Sequence, residues 1–169
     1  AERVIEHTIY ASRWLMAPFY VLMVGSLARD KGALQLVEAM RQLWSQGSDA
    51  TLALIGAPLA HFTSYHAALP EELRARIRVL PYAPDATKLD AYAAADVFAM
   101  PCRERRGGLE VEAFGIVFIQ AEAVGVPVVA GAIGGVPDSL VEGRTGLLVD
   151  GRSRQEVVAA VGGLLDDPG

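Results

Sequence analysis

The stretch from Gly107 to Gly151, GGLEVEAFGIVFIQAEAVGVPVVAGAIGGVPDSLVEGRTGLLVDG, alternates apolar runs of helix length and strand length, separated by glycine-rich turns. Phe114 to Val124 reads as a helix, Pro127 to Ala130 as a buried strand, and Thr145 to Val149 as a short strand. Strands that are continuously apolar, rather than alternating, suit a sheet covered on both faces. A repeated β-loop-α order of this kind feeds a parallel sheet.

The same order continues outward in both directions. Toward the N-terminus, Phe19 to Gly25 (FYVLMVG) reads as a strand. The helix after it runs from Lys31 to Gln46, with Leu34, Val37, Met40 and Leu43 or Trp44 on one face and Gly47 at its end. Thr51 to Gly56 and Ile77 to Leu80 are the next strands, with Glu71 to Arg76 as a helix end between them. Beyond a turn at Pro81 and Pro84, Asp85 is the expected N-cap of a helix reaching Ala95. Asp96 to Met100 (DVFAM) is a strand closed by Pro101, and Arg154 to Leu165 forms a terminal helix. The expected fold class is α/β, a Rossmann-like parallel sheet of about six strands flanked by helices. Residues 1–18, with Val4, Ile5, Thr8, Ile9, Ser12 and Leu15 at helical spacing, form an amphipathic helix or linker set apart from the domain over 19–169. A core or partner-facing role suits that helix better than a membrane surface, because it carries few basic residues.

Composition narrows the classes. The 169 residues are 52% hydrophobic and 21% charged, enough for one domain with its own core. A net charge of −5 offers no broad electropositive surface for nucleic acid. Cys102 is the only cysteine, which excludes an internal disulfide and any cysteine-rich zinc site and points to a reducing, cytoplasmic setting. No apolar run reaches the roughly 20 residues of a membrane span.

The turn Gly25-Ser26-Leu27-Ala28-Arg29-Asp30-Lys31-Gly32 sits between a strand and a helix start, where ligands of open parallel sheets bind and where helix amides favour phosphate. On these residues alone, a phosphate-binding turn and an ordinary turn with a solvated lysine both remain open. The chain has no Gly-x-Gly-x-x-Gly and no Walker sequence, so neither a dinucleotide enzyme nor a P-loop nucleotidase is indicated.

Taken together, Glu112-Ala-Phe-Gly-Ile-Val-Phe-Ile-Gln120, Gly125-Val-Pro-Val-Val-Ala130, the Gly134-Gly135 loop and Thr145-Gly-Leu-Leu-Val149 resemble the signature region of the family 4 retaining glycosyltransferases of GT-B fold. In that family two glutamates are separated by seven intervening residues. Gly25-Ser-Leu-x-x-x-Lys31-Gly32 is similar to its Gly-Arg-Leu-x-x-x-Lys-Gly loop, and Ala91-Tyr-Ala-Ala-Ala-Asp96-Val-Phe precedes the signature as it does there. The resemblance runs from Phe19 to the end of the chain.

That resemblance implies the donor-binding, C-terminal half of an enzyme moving a sugar from a nucleoside diphosphate sugar to an acceptor hydroxyl with retention, without a metal or other cofactor. Glu112 contacts the donor sugar, Gln120 the ribose and Lys31 the pyrophosphate, with Glu112 and Lys31 as the catalytic pair. Gly25 and Ser26 lie in the phosphate loop, and the Leu80 to Ala83 turn with Tyr82 packs on the base. Phe114, Gly115, Ile116 and Val117 supply amides to the diphosphate, and Gly115 permits close backbone approach. Gln120, eight residues after Glu112, faces the same way one level deeper.

The implied partners are the nucleotide sugar and an N-terminal acceptor domain, whose late helix residues 1–16 resemble. The oligomeric state is left open. The Gly-Leu-x-x-Glu-x-x-Gly-Ile-Val-Phe run is reminiscent of mannosyltransferases of glycolipid assembly, which suggests GDP-mannose and a peripheral place at the inner membrane face for the parent enzyme.

Two positions depart from the pattern. Gln120 stands where the family has Glu and loses a charge-assisted bond. Ser26 stands where the family usually has Arg, removing a positive charge that faces the leaving diphosphate, with Arg29, Arg103, Arg105 and Arg106 as substitutes. A stand-alone nucleotide-binding subunit and an inactive scaffold are the competing readings.

Other residues read more plainly. Glu122 is turned away from position 120 toward solvent or a salt bridge, and Arg103-Glu104-Arg105-Arg106 is a solvated mixed-charge loop. Cys102 is a small filler. His61 and His66 have no third ligand, and no metal site is expected.

Overall fold

The computed structural model describes residues 19–104 and 115–166. The amphipathic segment 1–18 lies outside them. The elements, in chain order, are β1 (Tyr20–Val24), α1 (Ala33–Ser45), β2 (Thr51–Ile55), α2 (Ala60–Ala67), α3 (Glu71–Arg74), β3 (Ile77–Leu80), α4 (Asp85–Ala94) and β4 (Val97–Met100). They continue with α5 (Ile116–Ala123), β5 (Val128–Gly131), a 3-10 turn at Val136–Ser139, β6 (Gly146–Val149) and α6 (Arg154–Asp166).

All six strands form one parallel sheet in the order β3-β2-β1-β4-β5-β6. This is the expected α/β Rossmann-like fold. The chain winds outward from β1 to β3, then returns to the other side of β1 to place β4, so the winding reverses between β1 and β4. Val21 is therefore paired with Leu52 on one side and Val97 on the other. The amino ends of β1 and β4 are pinned together: Tyr20 N–H donates to the Asp96 carboxylate (2.7 Å) and Asp96 N–H to the Tyr20 carbonyl (2.9 Å). Right-handed crossovers on either side of such a reversal place helices on both faces. On one face α1 packs against α6, and on the other α4 packs against α5. Every residue of β4 and β5 is buried, which explains their unbroken apolar runs.

Several boundaries differ from those read in the sequence. The first helix begins at Ala33 rather than Lys31, because Gly32 adopts a left-handed conformation (φ 80°) that ends the preceding turn. It closes as expected at Gly47, with Ser48 N–H donating to the Leu43 carbonyl (3.1 Å). Asp85 is not an N-cap: Pro84 takes that place, and the Asp85 carboxylate, one residue inside the helix, pairs with Lys88 at 2.6 Å. The helix expected from Phe114 to Val124 is described from Ile116 to Ala123, with Gly115 as its cap (φ 72°). Strand ends shift by about one residue, which is ordinary for hydrogen-bonded boundaries.

The sequence reading missed α2 and the turn at Val136–Ser139. Only Phe62 of α2 is buried, so no apolar stripe announces that helix. Burial of Phe62 and a hydrogen bond from the Tyr65 hydroxyl to the Glu38 carboxylate of α1 hold it to the domain, while Phe62 stacks on His66 within the helix with centroids 5.9 Å apart.

Candidate functional site

The strand order reverses between β1 and β4, and in open α/β folds ligands bind in a crevice beyond the carboxyl ends of the strands at such a reversal. The loops that leave β1 and β2 run on together past the strands. Gly25 N–H donates to the Ile55 carbonyl (2.9 Å), and Leu27 N–H to the Ala57 carbonyl (3.0 Å). The β1 loop then turns toward the exit of β4 and is clasped to it. Arg103 N–H donates to the Asp30 carbonyl (2.7 Å), and its Nε to the Arg29 carbonyl (3.1 Å).

Gly32 meets Pro101 at the same junction, and a Cβ at position 32 would lie 2.1 Å from the Pro101 carbonyl oxygen. Gly131, at the end of β5, and Gly151, after β6, approach the neighbouring Cys102 carbonyl with the same lack of room for a side chain. The Pro101-Cys102 backbone is thus seated among three loops, which fixes where the chain leaves β4. The sequence reading assigned no role to Gly131 or Gly151. Their signal, a glycine ending one strand and another following the next, is indistinguishable in sequence from an ordinary turn.

Lys31 projects from this clasped loop. Its ammonium lies 3.4 Å from the Asp30 carboxylate, and its side chain is 23% exposed. Ser26 is exposed on the same loop beside Gly25. Across the reversal, Gly115 caps α5 over the ring of Phe118, where a Cβ would come within 2.3 Å of the ring. The first intrahelical bond, Phe118 N–H to the Gly115 carbonyl (2.9 Å), follows the amides of Ile116 and Val117, which have no acceptor within the helix. Ile116 is 65% exposed and Val117 half-buried. Gln120, one turn on, is exposed, and its Oε1 accepts from the Tyr92 hydroxyl of α4 at 3.2 Å. Tyr82, after β3, is 81% exposed. Glu112, Phe114, Arg105 and Arg106 lie outside the described residues.

Neighbouring candidates take other roles. Glu122 points away from Gln120 and accepts from Thr145 Oγ1 (2.5 Å), a neutral partner rather than the solvent or ion pair expected. Arg103 is a clasp rather than part of a solvated loop. Cys102 is fully buried, with its Sγ 3.6 Å from the Gly131 carbonyl oxygen. Burial, then the charge of Arg74, holds the His66 pKa below the usual histidine range. Among the described residues no cluster of three or more His, Cys, Asp or Glu could hold a metal ion, and no helix is long and apolar enough to cross a membrane.

A surface groove of about 580 Å³ lies elsewhere, lined by the later part of α1, by α3 and by Arg76 and Arg154. Its position follows from Arg76 and Ser48, which precede β3 and β2 and so mark the amino edge of the sheet, opposite the crevice. Within it Arg41 is hydrogen-bonded to Glu38 (2.8 Å), and Arg76 lies over Trp44 while bonding the Ser48 carbonyl (2.9 Å).

Comparison with known proteins agrees with this architecture. The family profile described as "Glycosyl transferases group 1" matches residues 8–169. The GDP-mannose-dependent alpha-(1-6)-phosphatidylinositol monomannoside mannosyltransferase of Mycolicibacterium smegmatis is 40% identical over 149 residues, covering 88% of this chain and 39% of that protein. Sucrose-phosphate synthase from Thermosynechococcus elongatus superposes with a TM-score of 0.76 at 30% identity, over 94% of this chain and 39% of that one. Anabaena HepE, solved with UDP-glucose, shares the fold with a TM-score of 0.75 at 24% identity, over 96% of this chain and 43% of that one. The chain thus spans about two fifths of the length of these relatives, and it belongs to the group 1 family of glycosyltransferases.

Proposed function

We propose that this chain is the donor-binding half of a retaining glycosyltransferase, which holds a nucleoside diphosphate sugar while the sugar passes to an acceptor hydroxyl. The observation that carries the reading is the clasp between the Lys31 loop and the exit of β4 at the strand reversal, in a chain of this family. In this reading Lys31 and the first amides of α5 face the diphosphate and offset the negative charge that grows on it as the glycosidic bond breaks. Tyr82 covers the base, Gln120 meets the ribose and Glu112 holds the sugar hydroxyls. The electrostatics come from fixed protein groups, and no metal is assigned a part.

GDP-mannose is the proposed donor, supported by the name of the M. smegmatis relative. That relative is named for a phosphatidylinositol monomannoside, a lipid, which supports a place beside a membrane surface for the parent enzyme. In this reading the residues that orient the acceptor lie in the part of the relatives' length that this chain does not span, so the chain by itself binds donor and transfers poorly or not at all. Calorimetric titration with GDP, UDP, ADP and GDP-mannose tests the reading. Saturable binding of GDP and GDP-mannose is expected, and absence of heat with every nucleotide overturns it in favour of a scaffold.

A further inference from the structure

Gln120 presents one end of its side-chain amide to solvent and the other to Tyr92. The Tyr92 hydroxyl donates to Oε1 at 3.2 Å, the one hydrogen bond it makes among the described residues. Tyr92 is 1% exposed, and its ring lies 5.6 Å from that of Phe98, which meets Phe118 of α5 edge-on at 5.8 Å. Three buried rings therefore fix the hydroxyl relative to α5. Burial pushes the Tyr92 hydroxyl above the usual tyrosine range, so it stays a proton donor at any working pH. A desolvated donor demands an acceptor, and only the oxygen end of a glutamine amide accepts. Turning the amide over would set NH₂ against the hydroxyl and leave the hydroxyl proton without a partner.

We propose that Tyr92 is a positioning residue that locks the Gln120 amide with Oε1 inward and Nε2 toward the nucleotide crevice, so that the ribose meets a hydrogen-bond donor where a carboxylate would offer acceptors only. The proposal rests on the reading of Gln120 as the ribose contact. It assigns the chain a ribose subsite of altered polarity: Nε2 donates to a ribose hydroxyl oxygen, and the hydroxyl's own proton is directed elsewhere. Tyr92 tunes this contact without touching the ligand.

The test compares GDP with 2′,3′-dideoxy-GDP, titrated into the full chain and into its Tyr92→Phe variant, which keeps the ring and removes only the hydroxyl. The unmodified chain is expected to prefer GDP. Tyr92→Phe is expected to weaken GDP by about threefold to tenfold, the worth of one hydrogen bond, and dideoxy-GDP by less than about twofold. In a Gln120→Leu background the same change should have no further effect on GDP, because coupling through position 120 is gone. Equal losses for both nucleotides, or an undiminished loss in the Gln120→Leu background, overturn the proposal and leave the donor reading standing. No binding of either nucleotide by the unmodified chain overturns the donor reading and this proposal together. A measurement free of any substitution is the Gln120 side-chain amide resonance, which should shift more with GDP than with dideoxy-GDP. An unmoved resonance at saturating GDP also overturns the proposal.

Discussion

Gly32 and Pro101 touch backbone to backbone: a Cβ on Gly32 would stand 2.1 Å from the Pro101 carbonyl oxygen, and Gly32 itself sits at φ 80°. One residue thereby joins the loop after β1 to the exit of β4. Gly32→Ala would be penalised twice, by the left-handed backbone and by the collision with backbone that no side-chain motion relieves. The expected cost is about 3 kcal/mol, read as a fall of about 10 °C in Tm. A variant as stable as the parent would show that the loop can move away from Pro101.

The same junction carries Lys31 next to Asp30, so the lysine should act on a diphosphate rather than on a nucleoside. Lys31→Ala is expected to weaken GDP by about tenfold and guanosine hardly at all, as calorimetry at fixed salt would measure. Conversely, Gln120→Glu and Ser26→Arg should each tighten GDP: the ribose hydroxyl would turn its proton to the carboxylate in a charge-assisted bond stronger than the Nε2 bond it replaces, and the arginine would add a positive charge at the phosphates. If neither variant binds GDP more tightly, the assigned crevice is wrong.

Phe118 is fully buried beneath the Gly115 cap and edge-on to Phe98. Phe118→Ala should cost about 3–5 kcal/mol by denaturant unfolding. It should also loosen the ring stack under Gln120, so nucleotide affinity is expected to fall even in protein that remains folded. Intact affinity in a destabilised but folded variant would separate the stack from the site.

His66 gives the domain an acid-sensitive element. Its folded pKa is lowered by burial first and by the charge of Arg74 second, so in the window below its usual value near 6.5 the unfolded chain binds the proton and the folded chain does not. The unfolded state then holds more protons, and stability falls as pH drops from about 6.5 toward the depressed folded value. His66→Gln should flatten that part of a stability-versus-pH curve measured by urea unfolding. An unchanged slope would assign the acid sensitivity to other groups.

The sequence was most legible where one physical signal dominated. Runs such as Val21 to Val24 and Val97 to Met100 have no alternation, because both sheet faces are covered, and that pattern alone predicts buried parallel strands. Gly47 ended its helix as read. The sequence was misleading at Asp85, where the residue type favours a cap but the rigid Pro84 immediately before it holds the cap position, and at α2, whose single buried residue leaves no period to detect.

Sequence alone determined the strand and helix alternation and the family motif, since these depend on local periodicity and on spacing along the chain; the residues proposed to bind a nucleotide sugar come from that motif. Only the tertiary structure decided which strands are neighbours, that Arg103 clasps the Lys31 loop, and that Tyr92 faces Gln120 from 28 residues away. Those relationships arise when separate helices and loops pack on a common sheet, and no local preference of the chain encodes which side chains that packing brings within hydrogen-bonding distance.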